Sequence, residues 1–559
     1  MVGAENQPDT PDQITAEPRH AADSTGPRPE LRAANLDAMD GAEVDVLIVG
    51  GGINGAVSAA ALADRGLSVA LAERGDFAAM TSQESSNLVW GGFKYLENYE
   101  LPLVWKLCRS RNQLMRSYPT NITEIGFLAT LDKTSPFPPW LATLGSIGYW
   151  GIGSFFTRRP AYYRPKGIAR REPVVDVTSA AGAIEYADAY LNDNDARFVW
   201  SFIRSAMDRG ARAANYLSVD AITRTSAGWE AAATDTIDGR AINLTARAVV
   251  NAGGPLVDGV NRGMDVSTRH QIVFSKGIHL VVPKLTDSER VLAFFDDTQR
   301  LFYVIPMAHR SVIGTTDTRT ESHDEKVTDE DRSFLLEQIN ARLRLETPLT
   351  TDDIIAERCG VRPLVVERAD DSHEEQDWTS LSRKHEIEVD RARKVVSIFG
   401  GKLTDCLNVG DEVVEAVEQL GLKPGRGTDH WYGEPSTAER ERYLLRAATL
   451  GLDRAPEVER GDSIALVLWR RHGLAANDVL DAIAQDPAAA QPVLAESDVL
   501  RGELDLFRRR EMVVTIDDFL RRRTKLSLIH RWETLAADPG MGELCGALGV
   551  EAPQRLTRG

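Results

Sequence analysis

A mixed α/β protein is predicted, with a Rossmann-like nucleotide-binding domain, an antiparallel-sheet domain and a C-terminal helical cap domain, and three observations predict it. Residues 44–55, VDVLIVGGGING, carry an apolar, β-branched strand straight into glycines at GxGxxG spacing. Residues 265–355 alternate apolar and polar positions, as in HQIVFSKGIHLVVP and RLFYVIPMAHRSVIGTTDT, the period of an antiparallel sheet with one covered face. From about residue 433 onward the apolar pattern is helical, with no strand-like alternation.

Composition bounds the function. A chain of 559 residues with 43% hydrophobic content can build two or three cores. Its formal charge of -18 argues against a nucleic-acid partner and against electrostatic docking to an anionic membrane, so an anionic ligand needs a local cationic pocket. Cys108, Cys359, Cys406 and Cys545 are far apart and show no metal-ligand spacing, which suits reduced thiols, a cytoplasmic setting and no metal. Residues 1–42, rich in Pro, Asp, Glu and Ala without an apolar core, read as a disordered tail and not as a signal peptide. Thr134 to Thr157 carries no charge, yet its apolar part of about 17 residues is near the lower limit for spanning a bilayer. It is expected to form a buried or interfacial helix, with peripheral membrane contact as the lesser reading.

The nucleotide motif has a physical logic. Gly50 permits the tight turn, Gly52 lets backbone approach a pyrophosphate, and Gly55 lets helix and strand pack closely. Ile53 and Asn54 open the helix whose N-terminus receives the phosphates, and Gly66 closes it. The next strand ends in Glu73, 18 residues past Gly55, where a carboxylate accepts hydrogen bonds from a ribose and disfavours a 2′-phosphate. Two more strands run onto small residues, at AVVNAGGP with Ala252 and Gly253, and at VVSIFGGKLT with Gly401. Three such junctions over some 350 residues suit one discontinuous domain holding an extended FAD. Thr81, Ser82 and Ser85 follow Glu73 as hydroxyl-bearing turns for the cofactor's phosphates and ribityl chain, and Val219 is expected at the adenine.

Eight segments carry a resemblance: GGGINGA (50–56), TSQESSNLVWGGFKYLE (81–97), KGIHLVVP (276–283), IGTTDT (313–318), GVRPL (360–364), SRKH (382–385), GGKLT (400–404) and EMVVTIDDFLRRRTKL (511–526). Over about residues 44–530 the chain resembles the FAD-dependent glycerol-3-phosphate dehydrogenases of the D-amino-acid-oxidase-like, glutathione-reductase-like fold. The resemblance implies cofactor contacts from Gly91, Gly92, Gly401, Lys402, Leu403 and Thr404. It implies an anion-binding and catalytic set of Arg362, Arg383, Lys402 and Lys94, with His279 as proton acceptor or oxyanion contact. Asn87, Trp90, Phe93 and Lys94 stand where the family has Lys, His, Leu and Arg, and Asp405, Cys406 and Leu407 where it has Thr-Tyr-Arg. Trp90 cannot act as a base, and Lys94 keeps a charge without the guanidinium fork.

The implied reaction is oxidation of sn-glycerol 3-phosphate to dihydroxyacetone phosphate, with electrons passed to a quinone. The altered lining keeps a second substrate open, another small anionic hydroxy or amino acid. Homodimerisation and peripheral contact with the inner face of the cell membrane also stay open. The expected domains are a tail over 1–42, an FAD domain over 43–95, 181–264 and 356–425, a substrate domain over 96–180 and 265–355, and a helical domain over 433–559. The basic RRRTK run (521–525) is expected to be a charged helix end after the capping-box-like TIDD (515–518).

Overall fold

The computed structural model describes residues 31–97, 99–133, 135, 137–295, 300–368, 384–428, 430–453 and 462–553. Among them two large sheets and a C-terminal set of helices can be followed. The described chain starts with a helix, Leu31–Met39, whose Leu36 and Met39 are buried, so the last part of the expected tail is folded. Arg32 fixes it by a two-pronged bond to Asp235.

The first sheet has the strand order Glu386–Asp390, Val395–Phe399, Ala241–Asn251, Ala42–Val49, Val69–Ala72, Arg212–Ala214. From Val395–Phe399 to Arg212–Ala214 neighbouring strands run parallel. A parallel sheet must be covered on both sides, which is why Val46 to Val49 is apolar throughout. Val46 and Ile48 pack under the helices Ile53–Asp64, Asp195–Asp208 and Cys406–Gln419. Leu47 faces the other way, toward Trp229, Ala231 and Ala233 of a small antiparallel meander, Leu217–Arg224 with Trp229–Asp235.

The second sheet is mainly antiparallel and is built on two long pairings. Ile122–Asp132 lies against Ala180–Leu191, and His270–Pro283 against Ala356–Glu367. Two assignments therefore differ from expectation: residues 180–191 and 356–367 run in this sheet and not in the nucleotide-binding one. Residues 122–132, from the first part of the expected substrate domain, also form a strand of this sheet. The helix Asp329–Arg342 seals one side with Leu335, Leu336 and Ile339, and a capping box from Thr328 and Asp331 starts it.

Helices from Thr437–Thr449 to Met541–Leu548 form the C-terminal part around two apolar clusters of their own. Its docking departs from the sequence reading. Arg521, Arg522 and Arg523 are not a solvated helix end but are buried, on a π-helical turn, Asp518–Arg523. Arg523 makes two bonds to Asp76 at 2.8 and 2.9 Å, and Arg522 joins Asp76 at 2.7 Å and Asp518 at 2.6 Å. Burial alone would raise the Asp76 carboxyl, but Arg523 and Arg522 outweigh it and hold it below its ordinary range.

Candidate functional site

A groove follows the C-terminal edge of the parallel sheet, where its strands run onto glycine. Gly50 has φ +106°, and a β-carbon there would lie 2.5 Å from the Ala252 carbonyl oxygen, so neither the conformation nor the space admits a side chain. Gly55 faces inward: its missing β-carbon would sit 1.9 Å from the Gly50 carbonyl oxygen, which makes it a packing residue beneath the turn. Gly52 caps the helix, and Ser82 Oγ accepts a bond from the Ile53 amide at 3.0 Å, so a hydroxyl stands where the helix presents its free N–H groups.

The other walls come from distant segments. Glu73 sits at the end of its strand, where its carboxylate accepts bonds from the Gly51 amide at 2.6 Å and the Gly75 amide at 2.8 Å. Burial pushes that carboxyl upward against the pull of these donors. Val219 adjoins a strand irregularity and lines the groove with Ser218. Ala252 and Gly253 form the floor, and Asn54 reaches across to the Gly400 carbonyl oxygen at 2.8 Å, tying the first and third glycine corners together. Gly401 closes that end, and Thr81 donates to the Val361 carbonyl oxygen at 2.7 Å, joining the groove to the second sheet.

Of the expected cofactor residues, Gly50, Gly52, Ile53, Asn54, Glu73, Thr81, Ser82, Val219, Ala252, Gly253 and Gly401 line this groove. Gly91 and Gly92 do not. A β-carbon on Gly91 would lie 2.2 Å from the Tyr149 hydroxyl, so this glycine makes room for the buried Arg111–Asp188–Tyr149 cluster. Gly92 adopts φ +87° to turn the chain. Ser85 is spent locally, its amide on Asp195 and its hydroxyl on the Asn87 amide. Leu403 packs into the core beneath the groove, and Thr404 is buried beside it.

Where the groove meets the second sheet, one face of the His270–Pro283 and Ala356–Glu367 ladder carries three cross-strand pairs: Ser275 with Arg362, Gly277 with Gly360, and His279 with Arg358. Strand alternation puts all six on one face. The central glycine pair leaves a gap, and the Arg362 guanidinium lies over it, with a β-carbon on Gly277 only 2.0 Å from Nη2. Arg362 also donates to Thr315 Oγ1 at 2.8 Å and stands 3.5 Å from Asp317. His279 is 3% exposed and neither ring nitrogen has a hydrogen-bond partner among the described residues. Burial, reinforced by Arg358 and Arg362, pushes its pKa far below the ordinary histidine value, so the ring is neutral and both of its nitrogens keep unused hydrogen-bonding capacity.

Lys402 occupies the corner after Gly401, where its ammonium meets the Tyr95 hydroxyl at 2.5 Å and lies 4.1 Å from the Tyr95 ring centre. Trp90 packs 6.0 Å from that ring and its indole N–H is buried without a partner. Trp90, Phe93 and Tyr95 share an apolar cluster with Val281, two residues beyond His279 on the same face. Lys94 does not converge with these cations. It is exposed on a 3-10 turn, Phe93–Leu96, and its charge acts on Glu97. Arg383 lies outside the described residues.

Sequence reasoning missed two further charges. Arg358 is fully buried, bonded to Asp195 at 2.6 Å and to the Asn87 side chain at 3.2 Å. Asn87 adopts φ +58°, a conformation its residue type tolerates, and thereby offers its amide to Leu191, Asp193 and Arg358. Glu84, on the turn after Ser82, lies against Gly360. The signal for Arg358 was its alternation with Gly360 and Arg362, visible once those residues are placed on one strand.

The groove fits FAD. Its backbone amides at a helix N-terminus suit a pyrophosphate, the Glu73 carboxylate suits a ribose, and its length from Val219 to Gly401 suits an extended dinucleotide. A family model described as FAD dependent oxidoreductase matches residues 45–379, and one described as the C-terminal domain of alpha-glycerophosphate oxidase matches residues 448–548. A Pseudomonas tolaasii protein named glycerol-3-phosphate dehydrogenase is 30% identical over 520 residues, 89% of this chain and 95% of that one. Glycerol-3-phosphate dehydrogenase 2 of Mycobacterium tuberculosis is 30% identical over 516 residues, 89% of this chain and 84% of that one. Among solved structures, the glycerol-3-phosphate dehydrogenase of Bacillus halodurans complexed with FAD matches with TM-score 0.70 at 24% identity, covering 93% of this chain and 94% of that one. L-alpha-glycerophosphate oxidase of Mycoplasma pneumoniae, with FAD bound, matches with TM-score 0.53 at 15% identity over 70% of this chain and 98% of that one.

Proposed function

The chain belongs to the FAD-dependent oxidoreductase family, with glycerol-3-phosphate dehydrogenases among its relatives, and from that premise we propose that it oxidises sn-glycerol 3-phosphate at C2 to dihydroxyacetone phosphate and discharges its electrons to a quinone. FAD, held along the glycine corners, supplies the hydride acceptor. The observation that carries the reading is the face where Arg362 overlies the Gly277–Gly360 gap beside a neutral, unpartnered His279 at the end of the groove.

Each residue has a task there. Arg362, whose guanidinium takes the space left by the missing Gly277 side chain, presents a fixed fork to phosphate oxygens. Lys402, held by Tyr95, adds a second positive charge at the groove end. His279 offers a neutral ring whose open nitrogens hydrogen-bond a substrate hydroxyl or carbonyl. The apolar cluster of Trp90, Phe93 and Tyr95 keeps water from the reacting carbon.

Delivery to a quinone is supported by the surface of the uncharged stretch. The helix Pro139–Ile152 exposes Trp140 (63%) and Leu144 (58%), and Phe155 (63%) continues the patch. Exposed Arg158, Arg159, Arg164, Lys166, Arg170 and Arg171 follow in sequence, a local basic run in an acidic protein. Aromatic side chains rimmed by cations suit the interface of an anionic bilayer, where quinones are reached. No helix among the described residues is long and apolar enough to cross a membrane.

Anaerobic addition of glycerol 3-phosphate to the flavoprotein is expected to bleach its visible spectrum, and an unchanged spectrum defeats the reading. Arg362→Ala is expected to raise the glycerol 3-phosphate KM by about 100-fold, the size of a charge-assisted phosphate contact. Sedimentation with vesicles containing phosphatidylglycerol is expected to carry the protein down, less so after Trp140→Ala with Leu144→Ala.

A further inference from the structure

Five buried polar atoms collect around the glycine gap without hydrogen-bond partners among the described residues: Glu84 Oε2, Arg358 Nε, Arg521 Nη1 and both ring nitrogens of His279. Buried groups of this kind are rarely left unpaired, and each unpaired one needs an explanation. Glu84 covers the Gly360 half of the gap, where a β-carbon on Gly360 would be 3.0 Å from Glu84 Cβ. Its Oε1 is 3.4 Å from Arg521, while its Oε2 stands 3.9 Å from Arg358 Nε, beyond hydrogen-bond reach. The set holds both donors and acceptors. A hydroxyl group, which gives one hydrogen and accepts others, matches it where a bare anion or a hydrocarbon does not.

Two of these groups can take a proton, and their surroundings distinguish them. A proton on His279 would place a third positive charge between Arg358 and Arg362. A proton on Glu84 instead removes a buried negative charge, in an environment of Arg521, Arg358, Asp195 and Cys359. Burial pushes the Glu84 carboxyl up, against the pull of Arg521 and Arg358, and pushes His279 down, both toward the neutral form.

We infer that Glu84 is a catalytic residue of this chain: its Oε2 faces the reacting hydroxyl of the substrate and takes its proton, while Arg358 and Arg521 hold the carboxylate over the Gly277–Gly360 gap. The inference rests on the alcohol-oxidation reading. In the step, the C2–H bond breaks and its electron pair leaves as hydride to the flavin, the oxidant of the family's activity. The O–H bond breaks, its electrons form the C2=O double bond, and its proton forms a new bond to Glu84 Oε2. Arg521 belongs to the C-terminal helices, so the acid is positioned from both ends of the chain.

The test uses the FAD-loaded protein and Glu84→Gln, which keeps the shape and a bond to Arg521. Flavin reduction by glycerol 3-phosphate is expected to slow by about 100-fold or more in E84Q, the usual worth of a positioned base. In the wild type the rate rises with pH as Glu84 loses its proton, and in E84Q that rise disappears. Glu84→Asp, which keeps an acceptor on a shorter arm, recovers part of the rate and the pH dependence. Infrared difference spectra of the substrate-free flavoprotein between acid and neutral pH are expected to contain a protonated-carboxyl band that E84Q lacks. An E84Q protein reduced within about three-fold of wild type with the same pH profile overturns the assignment, as does the absence of the band. If the wild type is not reduced by glycerol 3-phosphate, the substrate reading fails by itself, and Glu84 then stands or falls on the infrared band.

Discussion

The cofactor groove and the charged face beside it adjoin through Thr81 and Pro363, yet they are made by opposite means. The groove is made of backbone: Gly50, Gly52 and Gly401 act by lacking side chains, and its amides come from a helix end. The face is made of side chains from four remote segments, Glu84, His279, Arg358 with Arg362, and Arg521. A backbone site tolerates change in its neighbours but not in its glycines. A side-chain site can be retuned one residue at a time, and the departures Asn87 and Trp90 lie next to it and not along the groove.

The contrast breaks first at Gly55. Gly55→Val places atoms where a β-carbon already lies 1.9 Å from a backbone oxygen, and the backbone cannot retreat. The purified variant is expected to be colourless or insoluble, read from absorbance near 450 nm relative to 280 nm. A coloured, stable G55V would mean that the groove is less rigid than its packing implies.

On the charged side the largest expected effect is Asp195→Ala. It strands Arg358 and Arg521, and losing one partner of a fully buried pair costs about 3–5 kcal/mol. Chemical denaturation of the holoprotein measures it. A loss below about 1 kcal/mol would place Asp195 and its two arginines in wetter surroundings than their burial indicates.

Between the two regions sits His385, buried against Gly401 and paired with Asp405 at 2.9 Å and Glu412 at 2.8 Å. Burial works against its charge, but the two carboxylates win and carry its pKa to about 9, above the ordinary histidine value. A raised folded-state pKa gives stability that is complete below about pH 6.5 and is lost as pH rises through about 9, a change of about 3 kcal/mol at most. His385→Gln is expected to flatten the stability curve across that window.

The smallest effect is expected at Lys94. Because it is exposed, Lys94→Ala should leave the melting temperature and the glycerol 3-phosphate KM unchanged. A KM raised more than about ten-fold would return Lys94 to the anion site.

The same contrast explains what could be read in advance. Gly50, Gly52, Gly55 and Glu73 are legible because a local spacing encodes one local turn. The antiparallel sheet was legible in its alternation. Residues 356–367 are grouped with the FAD domain by sequence, and only their long-range pairing with residues 270–281 puts them in the second sheet. Arg358 was invisible because its neighbours Glu357 and Cys359 make it resemble a surface charge. RRRTK was misread for a similar reason: three successive arginines ordinarily mark solvent, and the Asp76 that buries two of them is 446 residues from Arg522.

That separation has a consequence for how the protein is made. Asp76 lies in the turn that leads to Ala78 and Ala79 on the groove wall, and the cations that neutralise it, Arg522 and Arg523, come 446 and 447 residues later. Until Arg522 and Arg523 have been translated, a nascent chain carries an uncompensated acid beside the cofactor groove. A chain that stops short of Arg522 therefore keeps the Asp76 carboxylate without its arginine partners, and the turn it belongs to loses the bonds that join it to the C-terminal helices.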